Sequence, residues 1–401
     1  MQFIPGGSVT SPSGFVAGAT FAGLKTYGEH KLDLGLLMSQ QPCVAAGTFT
    51  TNAVKSASVV LTSDHVAKGQ VRAVVANSGI ANACVGEQGL RDAQETVGLA
   101  ARHLGLKDNE VAICSTGIIG VELPMALIRA GIPKVQLSAE GGLPFARSIM
   151  TTDSRPKEAA LTVEIDGKTV TIGGCVKGSG MIHPNMATML AFLTTDAAVT
   201  PALLRSMLKE AVNSSFNMVS VDRDTSTNDT VLLFANGACG LPPISGGSKA
   251  AAILGQAVTE MCSYLAKEIV RDAEGSRKVF EVRVEGARTL EDARKAARSI
   301  ASSSLVKTAV HGNDPNWGRI VCALGYSGAE VDEKRVGLYI NEVCLMENGM
   351  PIPFFKDAVI AIMRNPEVSF GIRLNLGDAT ATAWGCELTE EYVTFNSAYT
   401  T

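Results

Sequence analysis

Residues 177–192 read Lys177-Gly-Ser-Gly-Met-Ile-His-Pro-Asn-Met-Ala-Thr-Met-Leu-Ala-Phe192. A hairpin is predicted just before them, because residues 161–165 and 169–172 alternate around the turn pair Asp166-Gly167. An apolar, strand-like segment, residues 186–194, follows. The glycines and the His-Pro-Asn turn between these elements allow a close chain approach that bulkier residues resist. The sequence therefore predicts a strained turn that delivers Thr188 to the first position of a strand.

That placement suggests one chemistry. If the peptide bond between Ala187 and Thr188 is cut, the threonine hydroxyl and a new α-amine share one residue. An α-amine has a pKa of about 7.7–8.0, so near neutral pH it can take the proton from the hydroxyl without any histidine. The alternative is that Thr188 is only a β-branched strand residue that packs in the core.

Residues 178–190 resemble the self-cleavage and nucleophile motif of the ornithine acetyltransferase family, the arginine-biosynthesis enzymes also called glutamate N-acetyltransferases. The resemblance covers nearly the whole chain. Its other motifs are Asn77-Ser-Gly-Ile-Ala-Asn-Ala83, Ser115-Thr-Gly-Ile-Ile-Gly120, Met150-Thr-Thr-Asp153, Ser226-Thr-Asn-Asp229, Arg271-Asp-Ala-Glu-Gly275, Asp314-Pro-Asn-Trp-Gly-Arg-Ile320 and Trp384-Gly-Cys-Glu-Leu-Thr389.

The resemblance implies a role for each matching residue. Thr188 is the nucleophile, and Thr116 and Gly117 form the oxyanion hole. The implied substrate contacts are Thr151, Lys177, Thr188, Glu274, Asn396 and Thr401, which places a buried C-terminus against the substrate. Cleavage divides the chain into residues 1–187 and 188–401, two intertwined chains that the family usually doubles into an α2β2 heterotetramer.

The residues themselves give partial support for these roles. A strand, 111–117, is predicted to run through glycine towards a helix near 123–124. Such a junction can present backbone N–H groups to an oxyanion. A plain strand-to-helix turn would have the same sequence pattern. Cys114 is a rival nucleophile, but free cysteines are usually buried small hydrophobes. An ammonium at Lys177, beside two glycines, can approach a substrate carboxylate; otherwise it is a solvated lysine.

Two positions depart from the family pattern. Arg223 and Ala273 stand where glycine is usual, which puts the local turn at Arg223 in doubt. Residues 219–231 superficially resemble a calcium loop, but Thr227 occupies its glycine position and the terminal glutamate is missing, so no metal is expected. Residues 177–183 fit neither glycine-rich nucleotide-phosphate motif, because one motif fails at His183 and in the other the lysine would have to follow the glycine.

Composition limits the partners. A net charge of −4, without a Lys/Arg block, argues against nucleic acid. Nine cysteines without a Cys-x-x-Cys pair fit reduced thiols in a cytoplasm, with no structural disulfide. No apolar run is long enough for a membrane span, and the first basic residue, Lys25, comes too late for a signal peptide.

The predicted fold is α+β. Hydrophobic residues make up 46% of the chain, enough for a large core. Helices are predicted over 90–104, 200–213 and 289–300, and strands near an edge over the first 23 residues. The family fold is a layered, αββα-like sandwich that resembles N-terminal-nucleophile hydrolases.

The implied reaction is a ping-pong transfer. Thr188 takes the acetyl group from N2-acetyl-L-ornithine, ornithine leaves, and L-glutamate attacks the acetyl-threonine, with no cofactor consumed. Acetyl-CoA is a further expected donor. Two other functions remain open on the sequence: a self-processed aminopeptidase or amidase of similar fold, and a non-catalytic amino-acid-binding protein.

Overall fold

The strand and helix patterns fold into three β-sheets with covering helices in the computed structural model, which describes residues 1–25, 31–183 and 189–398. The strands are β1 Gln2–Phe3, β2 Phe15–Thr20, β3 Leu34–Ser39, β4 Val44–Phe49, β5 Ala73–Ile80, β6 Val111–Ile118, β7 Lys157–Ile165, β8 Lys168–Lys177, β9 Leu190–Thr195, β10 Val219–Ser220, β11 Thr230–Ala235, β12 Val279–Ala287, β13 Gly337–Ile340, β14 Val343–Glu347, β15 Met350–Pro351, β16 Glu367–Arg373 and β17 Ala379–Cys386. The helices are α1 Ala57–Lys68, α2 Gly86–Leu104, α3 Met125–Gly131, α4 Gly142–Ser148, α5 Pro201–Ser214, α6 Lys249–Arg271, α7 Leu290–Ala301, α8 Ser304–His311, α9 Trp317–Gly325, α10 Lys356–Met363 and α11 Glu390–Ala398.

The predicted hairpin lies inside a six-stranded sheet of order β1-β7-β8-β9-β11-β4. β7 and β8 pair antiparallel, with Ile165 opposite Lys168. Asp166 and Gly167 between them both have positive φ, 49° and 77°, as a two-residue hairpin turn requires. The prediction is confirmed. β8 ends at Lys177, and its neighbour β9 begins at Leu190, so this sheet holds both ends of the stretch that contains Thr188.

The six-stranded sheet is buried on both faces, which explains why β9 is apolar throughout. Leu190 and Phe192 point into a core shared with a four-stranded sheet of order β2-β3-β5-β6. Ala191 and Leu193 point the other way, into a core covered by α5 and α6. Helices α2 and α3 cover the outer face of the four-stranded sheet. The layers therefore run α, β, β, α, which confirms the predicted sandwich.

The seven-stranded sheet, of order β10-β17-β12-β16-β13-β14-β15, has a hydrophobic core of its own. The alternation along β12 places one face of this sheet in that core. The buried residues on this face are Phe280, Val282 and Val284. The residues between them, Glu281, Arg283 and Glu285, lie on the more exposed face. Helices α7, α8 and α9 contribute to this core. The sequence did not predict that this part packs separately from the αββα layers.

The predicted helices are present with small shifts in their bounds. α2 begins four residues before the predicted start, and α5 begins at the predicted Pro201. α7 begins after Thr289, the first residue of the predicted range, whose side chain caps the helix by accepting the Asp292 N–H at 3.1 Å. β1 and β2 lie at sheet edges, as predicted for the N-terminal stretch. No helix in the described ranges is long and apolar enough to cross a membrane.

Candidate active site

The residues that the family resemblance singles out converge on one pocket. Its walls include Thr116, Gly117, Thr151, Lys177, Glu274 and Asn396. Further lining residues are Ala81, Ile119, Thr152, Gly180, Met181, Ser226, Thr227 and Asn228. The remaining predicted site residues, Ala187, Thr188 and Thr401, lie outside the described residues.

Thr116 and Gly117 lie in β6, which pairs in parallel with β5. The two strands approach so closely here that a Cβ on Gly117 would lie 2.2 Å from the carbonyl carbon of Gly79, and Gly117 has φ +130°. Only glycine fits both demands. The helix predicted to begin near 123–124 is confirmed, since α3 begins at Met125. It begins beyond the end of β6 at Ile118, so the Gly117 amide is not part of a helix N-terminus.

Lys177 is the last residue of β8 and is only 2% exposed, so it is not the solvated lysine of the alternative interpretation. Its Nζ lies 3.4 Å from Oγ1 of Thr116, for which it is a donor. Burial lowers the pKa of Lys177, although the carboxylates of Asp153, Asp229 and Glu274 act in the opposite direction. The pocket thus contains a largely desolvated ammonium next to the threonine hydroxyl.

Glu274 and Asn396 meet across the pocket. The Asn396 side-chain amide donates to Glu274 Oε2 at 2.9 Å, and the Glu274 backbone N–H donates to the Ser179 carbonyl at 3.0 Å. Gly180 leaves room for this carboxylate, since a Cβ there would lie 2.4 Å from Oε1 of Glu274. Glu274 is therefore fixed by both its backbone and its side chain.

The C-terminal helix α11 reaches the pocket without being buried. None of its described residues is buried. The terminal Thr401, whose burial the resemblance implied, lies outside the described residues. The helix docks through polar contacts: Asn396 contacts Glu274, and the Tyr392 hydroxyl donates to Asp222 Oδ2 at 3.3 Å.

Sequence reasoning missed two aspartates that bind the stretch around residue 188. Asp222 accepts the backbone N–H groups of Met181 at 2.5 Å and Ile182 at 2.9 Å. Asp229 Oδ1 accepts the N–H of Met189 at 2.8 Å, and burial raises the pKa of Asp229 well above its usual range. Both belong to the acidic segment 219–231, whose carboxylates thus hold backbone amides on either side of the predicted cleavage point.

Asn228 was also missed, although it lies in a motif that the sequence displays. Its buried side-chain amide donates to the carbonyls of Ala81 and Ser115, both at 2.7 Å. One residue thereby ties the end of β6 to the Asn77–Ala83 motif. Nothing in local sequence distinguishes it from a turn asparagine, because its partners are more than 100 residues away.

Two sequence observations find a physical explanation. Cys114, the rival nucleophile, is buried in the core between the two sheets, and burial raises its thiol pKa, so it does not supply a thiolate. Ala273, a departure from glycine, is buried in the α6 core and has a negative φ, so alanine fits without backbone strain.

Arg223, the other departure, keeps the backbone conformation that favours glycine, with φ +72°. A left-handed non-glycine residue costs about 1–2 kcal/mol, and glycine loses about 0.4–1 kcal/mol more than alanine through the unfolded chain. Arg223→Gly is therefore expected to unfold with a free energy about 0.5–1 kcal/mol higher than Arg223→Ala, which keeps the Cβ. Urea titration of both variants measures this difference. Equal stability would show that the backbone at 223 is relaxed.

The pocket combines groups suited to an amino-acid amide or ester. The Thr116 hydroxyl and the Gly117 backbone can polarise a carbonyl, Lys177 can hold a carboxylate, and Glu274 can hold an ammonium group. All belong to segments fixed by the sandwich, so little reorganisation is needed on binding.

Comparisons with known proteins identify one family. The ArgJ family model matches residues 16–401. A relative from Symbiobacterium thermophilum, named arginine biosynthesis bifunctional protein ArgJ, is 53% identical over 403 residues and 100% of both chains. A relative of that name from Dehalococcoides mccartyi is 47% identical over 100% of this chain and 99% of its own. The crystal structure of arginine biosynthesis bifunctional protein argJ from Bacillus halodurans is 38% identical with a TM-score of 0.51, covering 52% of this chain and 98% of its own. The chain belongs to the ArgJ family.

Proposed function

We propose that this protein is a glutamate N-acetyltransferase that moves an acetyl group from N2-acetyl-L-ornithine to L-glutamate through an ester on Thr188. The convergence of Thr116, Gly117, Lys177 and Glu274 on one pocket carries the proposal. The names of the ArgJ relatives, which describe a bifunctional protein of arginine biosynthesis, support this choice of substrates.

The reaction begins with cleavage between Ala187 and Thr188, which frees an α-amine on the nucleophile. This amine takes the hydroxyl proton as Thr188 Oγ attacks the acetyl carbonyl, and Thr116 with Gly117 stabilises the oxyanion. The amide C–N bond breaks, the amine returns the proton to the leaving ornithine, and an acetyl ester remains. The unprotonated amine of L-glutamate then attacks that ester, and the acyl C–O bond breaks to release N-acetylglutamate. The proton of the attacking amine passes through the α-amine to Thr188 Oγ, which restores the hydroxyl.

Lys177 and Glu274 provide the amino-acid recognition in this proposal. Both substrates carry an α-carboxylate, which the buried ammonium of Lys177 binds. Glu274, oriented by Asn396, takes an ammonium group of the substrate, and Thr151 and Thr401 complete the contacts. One amide is made as another is broken, so the exchange needs no cofactor and no external energy source.

Acetyl-CoA is a second donor in this proposal. A thioester is an easier acyl donor than an amide, so a nucleophile that attacks N2-acetyl-L-ornithine also attacks acetyl-CoA where its arm fits. The word bifunctional in the names of the relatives is consistent with a second donor.

The proposed active form consists of the chains 1–187 and 188–401, paired into an α2β2 heterotetramer. The solved Bacillus halodurans chain supports the division, because it matches over nearly its whole length yet covers only about half of this chain. The cytoplasm is the proposed compartment, which agrees with nine cysteines that are all free thiols.

A transfer assay tests the function. With L-glutamate, the purified protein is expected to form N-acetylglutamate from N2-acetyl-L-ornithine and also from acetyl-CoA, the second reaction releasing free thiol. Acetate released from acetylornithine at a rate independent of glutamate would identify an amidase instead. If acetylornithine supports transfer and acetyl-CoA does not, the enzyme only recycles acetyl groups from acetylornithine. If neither donor supports transfer, the protein is a non-catalytic binding protein.

A further inference from the structure

A buried ionic cluster lies outside the pocket lining and has no part in the mechanism above. Lys157 Nζ is 2.5 Å from Asp153 Oδ1 and 2.5 Å from Asp272 Oδ2, and the three side chains are 0%, 0% and 4% exposed. Desolvation of buried charges offsets most of their attraction, so such a cluster contributes little stability compared with an apolar core. Its contacts indicate another purpose.

Asp153 connects two segments of the pocket. Its Oδ1 accepts the Gly178 N–H at 2.7 Å as well as the lysine ammonium, and its Oδ2 accepts the Thr151 N–H at 3.0 Å. Burial opposes the charge of Asp153, but Lys157 and Lys177 outweigh it and lower its pKa to about 2. Asp153 is thus a permanent carboxylate, and both its oxygens bind segments that carry pocket residues.

Asp272 connects a third segment. It ends α6 two residues before Glu274, and its carboxylate accepts the N–H of Ser154 at 3.1 Å and the Ser154 hydroxyl. The three segments also bind one another. The hydroxyls of Thr152 and Ser179 are 2.7 Å apart, and Glu274 donates its N–H to the Ser179 carbonyl.

Lys157 therefore lies where the segments 151–154, 177–180 and 272–274 meet. Each segment contributes to the pocket one of the proposed substrate contacts, Thr151, Lys177 and Glu274. We propose that the Asp153–Lys157–Asp272 cluster positions these three residues for substrate binding. The cluster acts through their backbones and touches no substrate. Its effect is large because a misplacement of about 1 Å can cost about 10²-fold in catalytic efficiency. This inference rests on the proposed function for its kinetic part.

Asp153→Asn is the main test, because asparagine keeps the shape but has a single acceptor oxygen. It cannot accept from Lys157, Gly178 and Thr151 together, and its NH2 group must face a donor. Leu338→Ala is the control: Leu338 is fully buried in β13, in the separate core of the seven-stranded sheet, so it lowers stability away from the pocket. The Tm of each variant and its cleaved fraction on a denaturing gel are measured first.

The two variants are expected to differ in substrate binding and in local hydrogen exchange. In Asp153→Asn, kcat/KM for N2-acetyl-L-ornithine should fall by about 10–100-fold, mainly through KM, whereas Leu338→Ala stays within about 2-fold. Hydrogen exchange in peptides covering 151–154, 177–183 and 272–276 should rise only in Asp153→Asn. Should that variant not fold, Ser154→Ala removes a single hydrogen bond to Asp272 and should shift KM and exchange in the same direction by a smaller factor.

Two outcomes overturn the inference. One is an Asp153→Asn enzyme whose KM matches that of the control at equal Tm, whatever its exchange. The other is unchanged exchange in the three segments. If the wild type transfers no acetyl group, the proposed function fails, and the exchange measurement alone decides whether the cluster positions the segments.

Discussion

Thr188→Ala is expected to remain a single full-length chain and to lose acetyl transfer by at least about 10³-fold. The reason is that one residue supplies both reactions. During cleavage its hydroxyl attacks the Ala187 carbonyl, the peptide C–N bond breaks to free the α-amine, and water hydrolyses the resulting ester. After cleavage the same hydroxyl and the new α-amine act as nucleophile and base. The measurement combines a denaturing gel, which counts fragments, with the transfer assay.

Thr188→Ser is the matched control, since serine keeps the hydroxyl and loses only a methyl group. It should still cut itself and should retain measurable transfer. A Thr188→Ala protein that separates into fragments near 1–187 and 188–401, or that transfers acetyl at the wild-type rate, would contradict the assignment of the nucleophile.

Gly117→Ala is expected to lose both stability and activity. Its Cβ would overlap the Gly79 backbone at 2.2 Å, and φ +130° is a conformation that alanine avoids. Overpacking and backbone strain together cost on the order of 3 kcal/mol or more. The β5–β6 pairing must shift to relieve the overlap, and that displaces the Gly117 amide from the proposed oxyanion hole, where loss of one donor costs about 10²–10³-fold in kcat.

Gly120→Ala is the control that separates steric overlap of the new Cβ from the strain of a positive φ. Gly120 also has a positive φ, +81°, but a Cβ there has open space, so its variant should lose only about 1 kcal/mol and little activity. Thr116→Val tests the hole without the steric problem and should lower kcat with little change in Tm. Gly117→Ala with the Tm and kcat of Gly120→Ala would contradict the close approach of the two strands and the role assigned to it.

Local patterns predicted the elements that depend on local chemistry. The β7–β8 hairpin follows from Asp166-Gly167, and the start of α7 follows from Thr289 and Asp292, because in each case the interacting residues are close in sequence. The alternating layers followed from the same patterns and from the family resemblance.

Long-range contacts set the limit of sequence reasoning. Residues 77–80 are mostly small and polar, and they nevertheless continue β5, because pairing with β6 stabilises the extended chain. The carboxylate of Asp229 and the amide of Asn228 bind partners that sequence spacing does not reveal. The separate core of the seven-stranded sheet depends likewise on which strands meet in space.

The pocket was predictable residue by residue only through the family motifs. Thr116, Lys177 and Glu274 come from three distant parts of the chain, and composition or periodicity alone gives no reason to join them. The structure adds the contacts that hold these residues in place. The Gly79 backbone packs against Gly117, and the backbone N–H of Glu274 donates to the Ser179 carbonyl.

The most direct test is the intact mass of the purified wild-type protein after incubation with N2-acetyl-L-ornithine and no L-glutamate. Self-cleavage and an acetyl-Thr188 intermediate together require two masses, those of residues 1–187 and 188–401, the second heavier by one acetyl group that disappears when L-glutamate is added. A single uncut mass, or an acetyl group located on a cysteine, would contradict the central claim.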